Sequence, residues 1–169
     1  RSLVAGSGIN ISASNCTIQI DLSAIPASTK TVIVNDINDF PAAVSCVITL
    51  ADDTEYAVRN DITTSSRFIM GNNCVISGAD SVVTKLTYTG SGIMFTANSS
   101  NFTFKNIEFD CASGTFLDYN GTGSEIFQIL SCAITADTLG TIDSFAGSHL
   151  DDVQFIVTTD GFLFTGSNG

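Results

Sequence analysis

The feature that most constrains the fold is a glycine that precedes a short apolar strand and recurs along the second half of the chain. The four copies begin at Gly92, Gly114, Gly140 and Gly161, which are 22, 26 and 21 residues apart. A repeat of this length cannot bury its apolar face alone, so stacking of successive repeats is the simplest way to form a core. The repeat therefore predicts a solenoid.

A second apolar strand precedes each of the three later glycines, at 102–109, 126–134 and 153–157. Within 102–109 the alternation of apolar residues shifts register, which predicts a bend or bulge near Asn106. The turns are uneven and a regular leucine ladder is missing, so a parallel β-helix fits better than a leucine-rich repeat. An antiparallel sandwich stays open as an alternative, because short strands at regular spacing are also typical of that class.

The first thirty residues differ from the rest. Apolar and polar residues alternate at 9–11 and again at 18–22, which predicts a pair of half-buried strands, followed by a linker at 26–30. Two isolated strands are only marginally stable in water, so we expect copies from other chains to cover them. We therefore divide the chain into a strand pair with its linker, 1–30, and a β-helix, 31–169, whose C-terminal end we expect to be incomplete.

The charge of the chain excludes several classes of partner. Six Lys and Arg residues stand against 17 Asp and Glu residues, which gives a net charge of −11. A nucleic-acid binder needs clustered basic residues, and an anionic membrane surface would repel this chain. No apolar run approaches the length of a membrane span. We expect neither nucleic-acid binding nor membrane insertion.

The cysteines are widely spaced and include no CxxC pair, which argues against a zinc site. We interpret them as buried thiols made in a reducing cytoplasm, and we expect no metal and no cofactor. The five are Cys16, Cys46, Cys74, Cys111 and Cys132.

One resemblance concerns the N-terminal segment. Residues 3–11 read LVAGSGINI and resemble a Gly-x-Gly-Ile-x-Ile segment that is common in bacteriophage tail and head fibres. In those fibres the strand pair recurs in trimeric shafts and at junctions before distal domains. The resemblance implies a homotrimer that assembles with other virion proteins.

A second resemblance concerns the start of the solenoid. Residues 47–56 read VITLADDTEY and resemble the opening of the pectate-lyase-like superfamily, in which a capping helix leads into G-x-I-x-L-x-x-G-x-Y. Cys46 and Thr54 replace the usual glycines, and the family's x-I-x-G turn matches 75–78. A short helical turn at 39–44 stands where the cap would be. The resemblance implies an all-β fold, a right-handed single-stranded parallel β-helix; fold does not imply function.

Catalysis on a glycan would need two carboxylates about 5–10 Å apart across a sugar. The candidate catalytic residues are Glu108, Asp110 and Asp118, and further acidic pairs are Asp137 with Asp143 and Asp151 with Asp152. Equivalent positions of adjacent β-helix coils lie about 4.8 Å apart, so acidic pairs on one face arise easily by chance. We interpret these residues as an ordinary solvated surface and lean against an enzyme.

Other candidate sites are weaker still. Tyr119 and Asn120 are the candidate glycan-binding residues, but the absence of Trp argues against strong stacking on a sugar. The acidic turn at 52–55 does not have the spacing of an EF-hand. His149 is interpreted as a turn residue, because no GxSxG motif accompanies it.

The favoured hypothesis is a structural or receptor-binding component of a phage fibre or tail appendage. Such a protein is made in the host cytoplasm and is exposed on the virion, where a host-surface glycan is a further candidate partner. One alternative is a polysaccharide-degrading tailspike, either a glycan hydrolase with Glu and Asp residues as acid and nucleophile or a glycan lyase. The other is a bacterial surface adhesin of the same fold.

Overall fold

The computed structural model describes residues 10–14, 17–21, 30–79, 84–98 and 100–165. Two strands, β1 (Asn10–Ser14) and β2 (Thr17–Asp21), form an antiparallel hairpin, as the alternation near the N-terminus predicts. The predicted linker at 26–30 lies outside the described residues, except for Lys30, which begins the next strand.

The rest of the described chain is a parallel β-solenoid of about six coils. This confirms the predicted β-helix and shows that the sandwich alternative is wrong, because the strands of the solenoid pair in parallel. The strands are β3 (Lys30–Val34), β4 (Val47–Thr49), β5 (Thr54–Val58), β6 (Ile62–Thr64), β7 (Arg67–Ile69), β8 (Cys74–Ser77), β9 (Thr84–Tyr88), β10 (Ile93–Asn98), β11 (Phe102–Lys105), β12 (Ile107–Asn120), β13 (Ile126–Asp143) and β14 (Gly147–Thr165).

The strands build three faces, and the long strands β12, β13 and β14 turn corners to serve more than one face. The first face contains β3, β5, β8, β11 and the opening parts of β13 and β14. The second face contains β6, β9, the opening part of β12 and the middle parts of β13 and β14. The third face contains β4, β7, β10 and the closing parts of β12, β13 and β14.

The glycine repeat marks the coils, but one glycine is out of register. Thr115 pairs with Thr138, so this coil advances by 23 residues, and Gly140 pairs with Leu117 instead of Gly114. Gly140 has a φ of 113°, and a Cβ there would overlap the Leu117 carbonyl oxygen. The close approach of neighbouring coils therefore explains this glycine better than the repeat does.

The core is a column of apolar side chains along the solenoid axis. Aromatic rings stack from coil to coil, with 5.4 Å between the ring centroids of Phe68 and Phe95 and 5.6 Å between those of Phe102 and Phe127. Inward-facing side chains alternate with outward-facing ones along the strands, which is why the strand pattern was visible in the sequence. Burial of these rings is the main source of stability expected for the fold.

The corner between the first and second faces is made by single residues in the left-handed region of backbone space. Asn106, Ser131 and Asp152 occupy this corner in successive coils, with φ values of 53°, 51° and 50°. The bend predicted near Asn106 is therefore confirmed. In the coil before it, a Cβ on Gly78 would overlap the Asn106 carbonyl oxygen, so a glycine is required at this close approach.

A ladder of amide and carboxylate side chains supports the corner that leads into the first face. The Asp52 carboxylate accepts a hydrogen bond from the Asn72 backbone N–H at 2.7 Å. The Asn72 side chain accepts from the Asn101 backbone N–H at 3.0 Å, and the Asn101 side chain accepts from the Ile126 backbone N–H at 2.8 Å. Four coils are thus joined through backbone donors that the turns would otherwise leave unpaired.

A short segment covers the N-terminal end of the solenoid. Its helical turn lies at a different place from the turn predicted at 39–44. The 3-10 helix runs over Ile37–Asp39, ahead of the predicted turn at 39–44, and Asp36 and Asp39 form a capping box at its start. Phe40 is extended, with φ −74° and ψ 163°, because a residue before proline avoids the helical region. This helix, the only one in the described residues, is too short to cross a membrane.

The cysteines match the prediction only in part. Cys74, Cys111 and Cys132 are buried free thiols, whereas Cys46 is an exposed free thiol at a turn with a φ of 60°. Burial raises the pKa of Cys74 and of Cys111 to about 12. Cys16 lies outside the described residues.

Candidate functional site

The candidate site is a groove of about 630 Å³ on the outside of the third face, near the C-terminal end of the solenoid. We call it the third-face groove. Its lining residues are Ile93, Thr115, Asp118, Thr138, Gly140, Thr141, Asp160, Gly161, Phe162 and Leu163. The volume is within the range typical of small-molecule sites, roughly 300–1,000 Å³.

The groove lies where the in–out alternation of the strands breaks. In β12 two consecutive side chains, Phe116 and Leu117, are both fully buried, and in β10 the same is true of Met94 and Phe95. A regular strand points successive side chains to opposite faces, so each of these strands bends at this point. The bend separates two rows of outward side chains, and the groove runs between the rows along the solenoid axis.

Strand register builds both rows. In the first row Thr115 pairs with Thr138, and Thr138 pairs with Asp160. In the second row Asp118 pairs with Thr141, and Thr141 pairs with Leu163. Each step of a row is one coil, or about 4.8 Å, so the groove presents polar groups at regular intervals.

The polar groups of the groove are free to bind a ligand. Among the described residues, no side-chain hydrogen bond engages the hydroxyls of Thr115 and Thr138 or the carboxylate of Asp118. Phe162 is half-buried and Leu163 is 61% exposed, so the groove also offers apolar surface. Hydroxyls, carboxylates and apolar side chains together suit a ligand with hydroxyl groups on one side and C–H groups on another.

The structure separates the three candidate catalytic carboxylates. Glu108 and Asp110 both project outward from the second face, as predicted, because Ile107 and Phe109 are buried. Asp118 lies on the third face, in the groove. The three residues therefore do not form one site.

Glu108 is engaged in an ion pair. The Lys85 ammonium lies 2.6 Å from its carboxylate, and the pairing of β9 with β12 places the two residues opposite each other. The hydrogen bond from Lys85 to Glu108 raises the pKa of that lysine. The ion pair joins two neighbouring coils, so Glu108 has a structural role.

The two acidic residues of the groove stand at widely separated backbone positions. Asp118 and Asp160 are two coils apart along the axis and three positions apart along the strand. The strand spacing and rise place their Cα atoms about 14 Å apart, whereas the carboxylates of inverting enzymes are about 6.5–9.5 Å apart and those of retaining enzymes about 5–5.5 Å. The register thus argues against hydrolysis by this pair.

The two candidate glycan-binding residues differ in exposure. Tyr119 is fully buried, and its ring packs against Phe102 and Phe127. Burial raises its pKa to about 12, and its hydroxyl has no hydrogen-bond partner in the described residues. Tyr119 therefore presents no surface on which a sugar could stack, whereas Asn120 is exposed.

The remaining acidic residues are held locally or lie apart. Asp137 accepts hydrogen bonds from the hydroxyls of Thr158 at 2.7 Å and Thr159 at 2.5 Å, which lower its pKa. Asp143 accepts from the Ser144 hydroxyl at 3.0 Å. Within the described part of the chain, no three His, Cys, Asp or Glu side chains gather as a metal site would require.

No protein-family model matches this chain, and no curated protein sequence and no solved structure matches it. The likenesses to phage fibres and to the pectate-lyase-like superfamily stay predictions.

Sequence reasoning found one groove residue, Asp118, and missed the threonines and Asp160. The outward threonines do alternate with apolar residues, but that pattern occurs on all three faces. Only the register between coils distinguishes the row of Thr115, Thr138 and Asp160 from the others.

Proposed function

We propose that this chain is a structural and receptor-binding segment of a bacteriophage fibre or tail appendage, and that its third-face groove binds a host-surface glycan without cleaving it. The observation that carries the proposal is the row in which the unengaged hydroxyls of Thr115 and Thr138 continue into Asp160, with Asp118 in the neighbouring row of the groove. Such a row can exchange hydrogen bonds with successive hydroxyls of an extended saccharide.

The scaffold supports this role. Parallel strands hold the lining residues at a fixed spacing of about 4.8 Å, so little order has to be created when a ligand binds. Half-buried Phe162 supplies apolar surface for the C–H face of a sugar ring. The fibre-like N-terminal segment supports placement in a virion, where a homotrimer is the expected assembly.

Binding is tested by titrating the purified chain with a panel of host surface oligosaccharides. The double variant Thr115→Val/Thr138→Val removes two hydroxyls from adjacent coils of the groove. A net hydrogen bond contributes about 0.5–1.5 kcal/mol, so the loss of two should lower affinity by about fivefold to 150-fold.

The matched control is Thr63→Val/Thr87→Val, which removes two hydroxyls from adjacent coils of the second face. We expect the control to bind as the parent does. Equal loss in both variants, or no binding by the parent to any member of the panel, would reject the groove as the receptor site.

The tailspike alternative predicts a different outcome of the same experiment. Release of reducing ends from a bound oligosaccharide would replace the binding proposal with an enzymatic one. Chemical cross-linking of the chain tests the assembly: a trimer supports the fibre role, and a monomer at all concentrations argues against it.

A further inference from the structure

The charge of the chain is divided unevenly between the two halves of the solenoid. The last Lys or Arg of the sequence is Lys105, and the residues after it include nine Asp and Glu. The first 105 residues contain all six Lys and Arg and eight Asp and Glu. The C-terminal half therefore carries nearly the whole net charge of −11.

The third-face groove lies mostly in this acidic half. All its lining residues except Ile93 follow Lys105, and Asp118 and Asp160 are among them. The two lysines nearest in sequence, Lys85 and Lys105, are held in ion pairs with Glu108 and Glu55 at 2.6 Å and 2.9 Å. Among the residues that the structure describes, no basic side chain lines the groove to offset its two carboxylates.

A ligand between the two rows of the groove interacts electrostatically with the carboxylates of both Asp118 and Asp160. With about 14 Å between the Cα atoms of Asp118 and Asp160, a group midway lies about 7 Å from each residue, which is within the Debye length of about 8 Å at physiological ionic strength. Carboxylates on a saccharide would be repelled there, and ammonium groups would be attracted.

We infer that the groove selects its glycan by charge: it takes saccharides with free amino groups, takes neutral saccharides more weakly, and rejects saccharides that carry carboxylates. This inference rests on the proposed function, because it specifies the ligand of the same groove. An ammonium group would pair with Asp118 or Asp160, while the hydroxyls of Thr115, Thr138 and Thr141 bind the ring hydroxyls.

The test uses three tetrasaccharides of matched length: a glucosamine oligomer, an N-acetylglucosamine oligomer and a galacturonic acid oligomer. Affinities are measured by calorimetry at low and at physiological salt, with a chelator present to remove bridging divalent cations. At low salt we expect the amino sugar to bind about tenfold more tightly than the neutral one, and the advantage to shrink as salt rises. We expect no binding of the galacturonic acid oligomer.

The variant Asp118→Asn/Asp160→Asn removes both carboxylates from the groove and keeps their size. It should remove the charge preference, so that the variant binds the amino sugar and the neutral sugar with equal affinity. The control Asp151→Asn/Asp152→Asn makes the same change in net charge on β14, outside the groove, and should keep most of the amino-sugar preference.

The possible results distinguish failure of charge selection from failure of glycan binding by the groove. Equal binding of all three sugars, or equal effects of the two double variants, would overturn charge selection and leave a glycan-binding groove. Binding of the acidic oligomer in preference to the others would also overturn it. If none of the three binds and the host panel also fails, the proposed function falls, and this inference falls with it.

Discussion

The two ends of the solenoid contain similar apolar side chains but differ in how these are covered. At the N-terminal end, Phe40 is 4% exposed and packs on Tyr56 and Phe68, with ring centroids 5.4 Å and 5.2 Å apart. At the C-terminal end, Phe155 is 37% exposed and Phe164 is 53% exposed. Apolar side chains are thus covered at the N-terminal end of the solenoid and partly exposed at the other end.

The comparison shows that the register of a strand does not by itself bury a side chain. Phe155 pairs with Ile134, and Phe164 pairs with Ile142, and both isoleucines are fully buried. The isoleucines lie between two coils, whereas β14 pairs on one edge only among the described residues. Burial in a solenoid comes from the coils on both sides, as expected for a fold whose repeats contact only their neighbours.

The largest effect on the unfolding free energy is expected for a phenylalanine in the middle of the solenoid, and we compare it with a phenylalanine in the last described strand. Phe104→Ala removes a fully buried ring that packs on Phe95 and Phe109. Its cost should be about 3–5 kcal/mol of unfolding free energy. Phe164→Ala removes a half-exposed ring and should cost about 1 kcal/mol. Denaturant unfolding measures both, and similar costs would contradict the comparison.

The N-terminal cover is tested by Phe40→Ala. The ring lies at the end of the solenoid, so its loss should cost about 2–3 kcal/mol, at or below the lower end of the range for buried phenylalanine. Amide hydrogen exchange should speed up in β3, β4 and β5 and stay unchanged in β13, because coils open locally. Faster exchange throughout the solenoid would mean that Phe40 supports the whole fold and does not act as an end cover.

The amide ladder is tested by Asn72→Ala. The substitution leaves the Asn101 backbone N–H without its side-chain acceptor and should cost about 0.5–1.5 kcal/mol. Asn98→Ala is the control, since Asn98 is exposed and its side chain makes no hydrogen bond in the described residues. Thermal unfolding measures both variants. Equal shifts in Tm would show that the hydrogen bonds of the ladder do not contribute to stability.

The smallest expected effect concerns the ion pair between Lys105 and Glu55, both of which lie in the part of the chain that carries the basic residues. The Lys105 hydrogen bond, followed by that from Ser77, lowers the pKa of Glu55 from its usual value of 4.5. The stabilisation is therefore complete above about pH 4.5 and is lost as pH falls through the lowered pKa. The pair is partly exposed, so it contributes less than about 1 kcal/mol.

Glu55→Gln should lower stability at pH 7 and flatten its dependence on pH below 4.5. Asp151→Asn, in the half without Lys or Arg, should not lower stability at pH 7. Unfolding measured from pH 3 to pH 7 distinguishes them. An unchanged pH profile for Glu55→Gln would show that the pair adds nothing to stability.

Much of the fold followed from short stretches of sequence. The alternation at 102–109 predicted both strands and the bend at Asn106, because a left-handed corner residue shifts the alternation where it occurs. The helical turn was misplaced by a few residues, since Asp36 and Asp39 cap each other's backbone ahead of Pro41. Such errors are local and do not alter the fold.

The candidate site was less accessible to sequence reasoning. Tyr119 was selected as a candidate because its hydroxyl is polar. Phe116 and Leu117 are both buried, which shifts the in–out alternation by one residue, so the Tyr119 ring points into the core. Asp160 was not selected, because nothing near it in the sequence indicates that Thr138 and Thr115 continue its row. Pairs of this kind lie more than twenty residues apart.

The sequence by itself determined that this chain is all-β and coiled, because strand alternation and turn residues act over a few neighbouring positions. Tertiary structure alone decided which residues share a row, since successive coils advance by as few as 20 residues, from Glu55 to Val75, and as many as 28, from Cys74 to Phe102. Backbone hydrogen bonds between coils set this register. They therefore also decide which hydroxyls and carboxylates meet in the third-face groove.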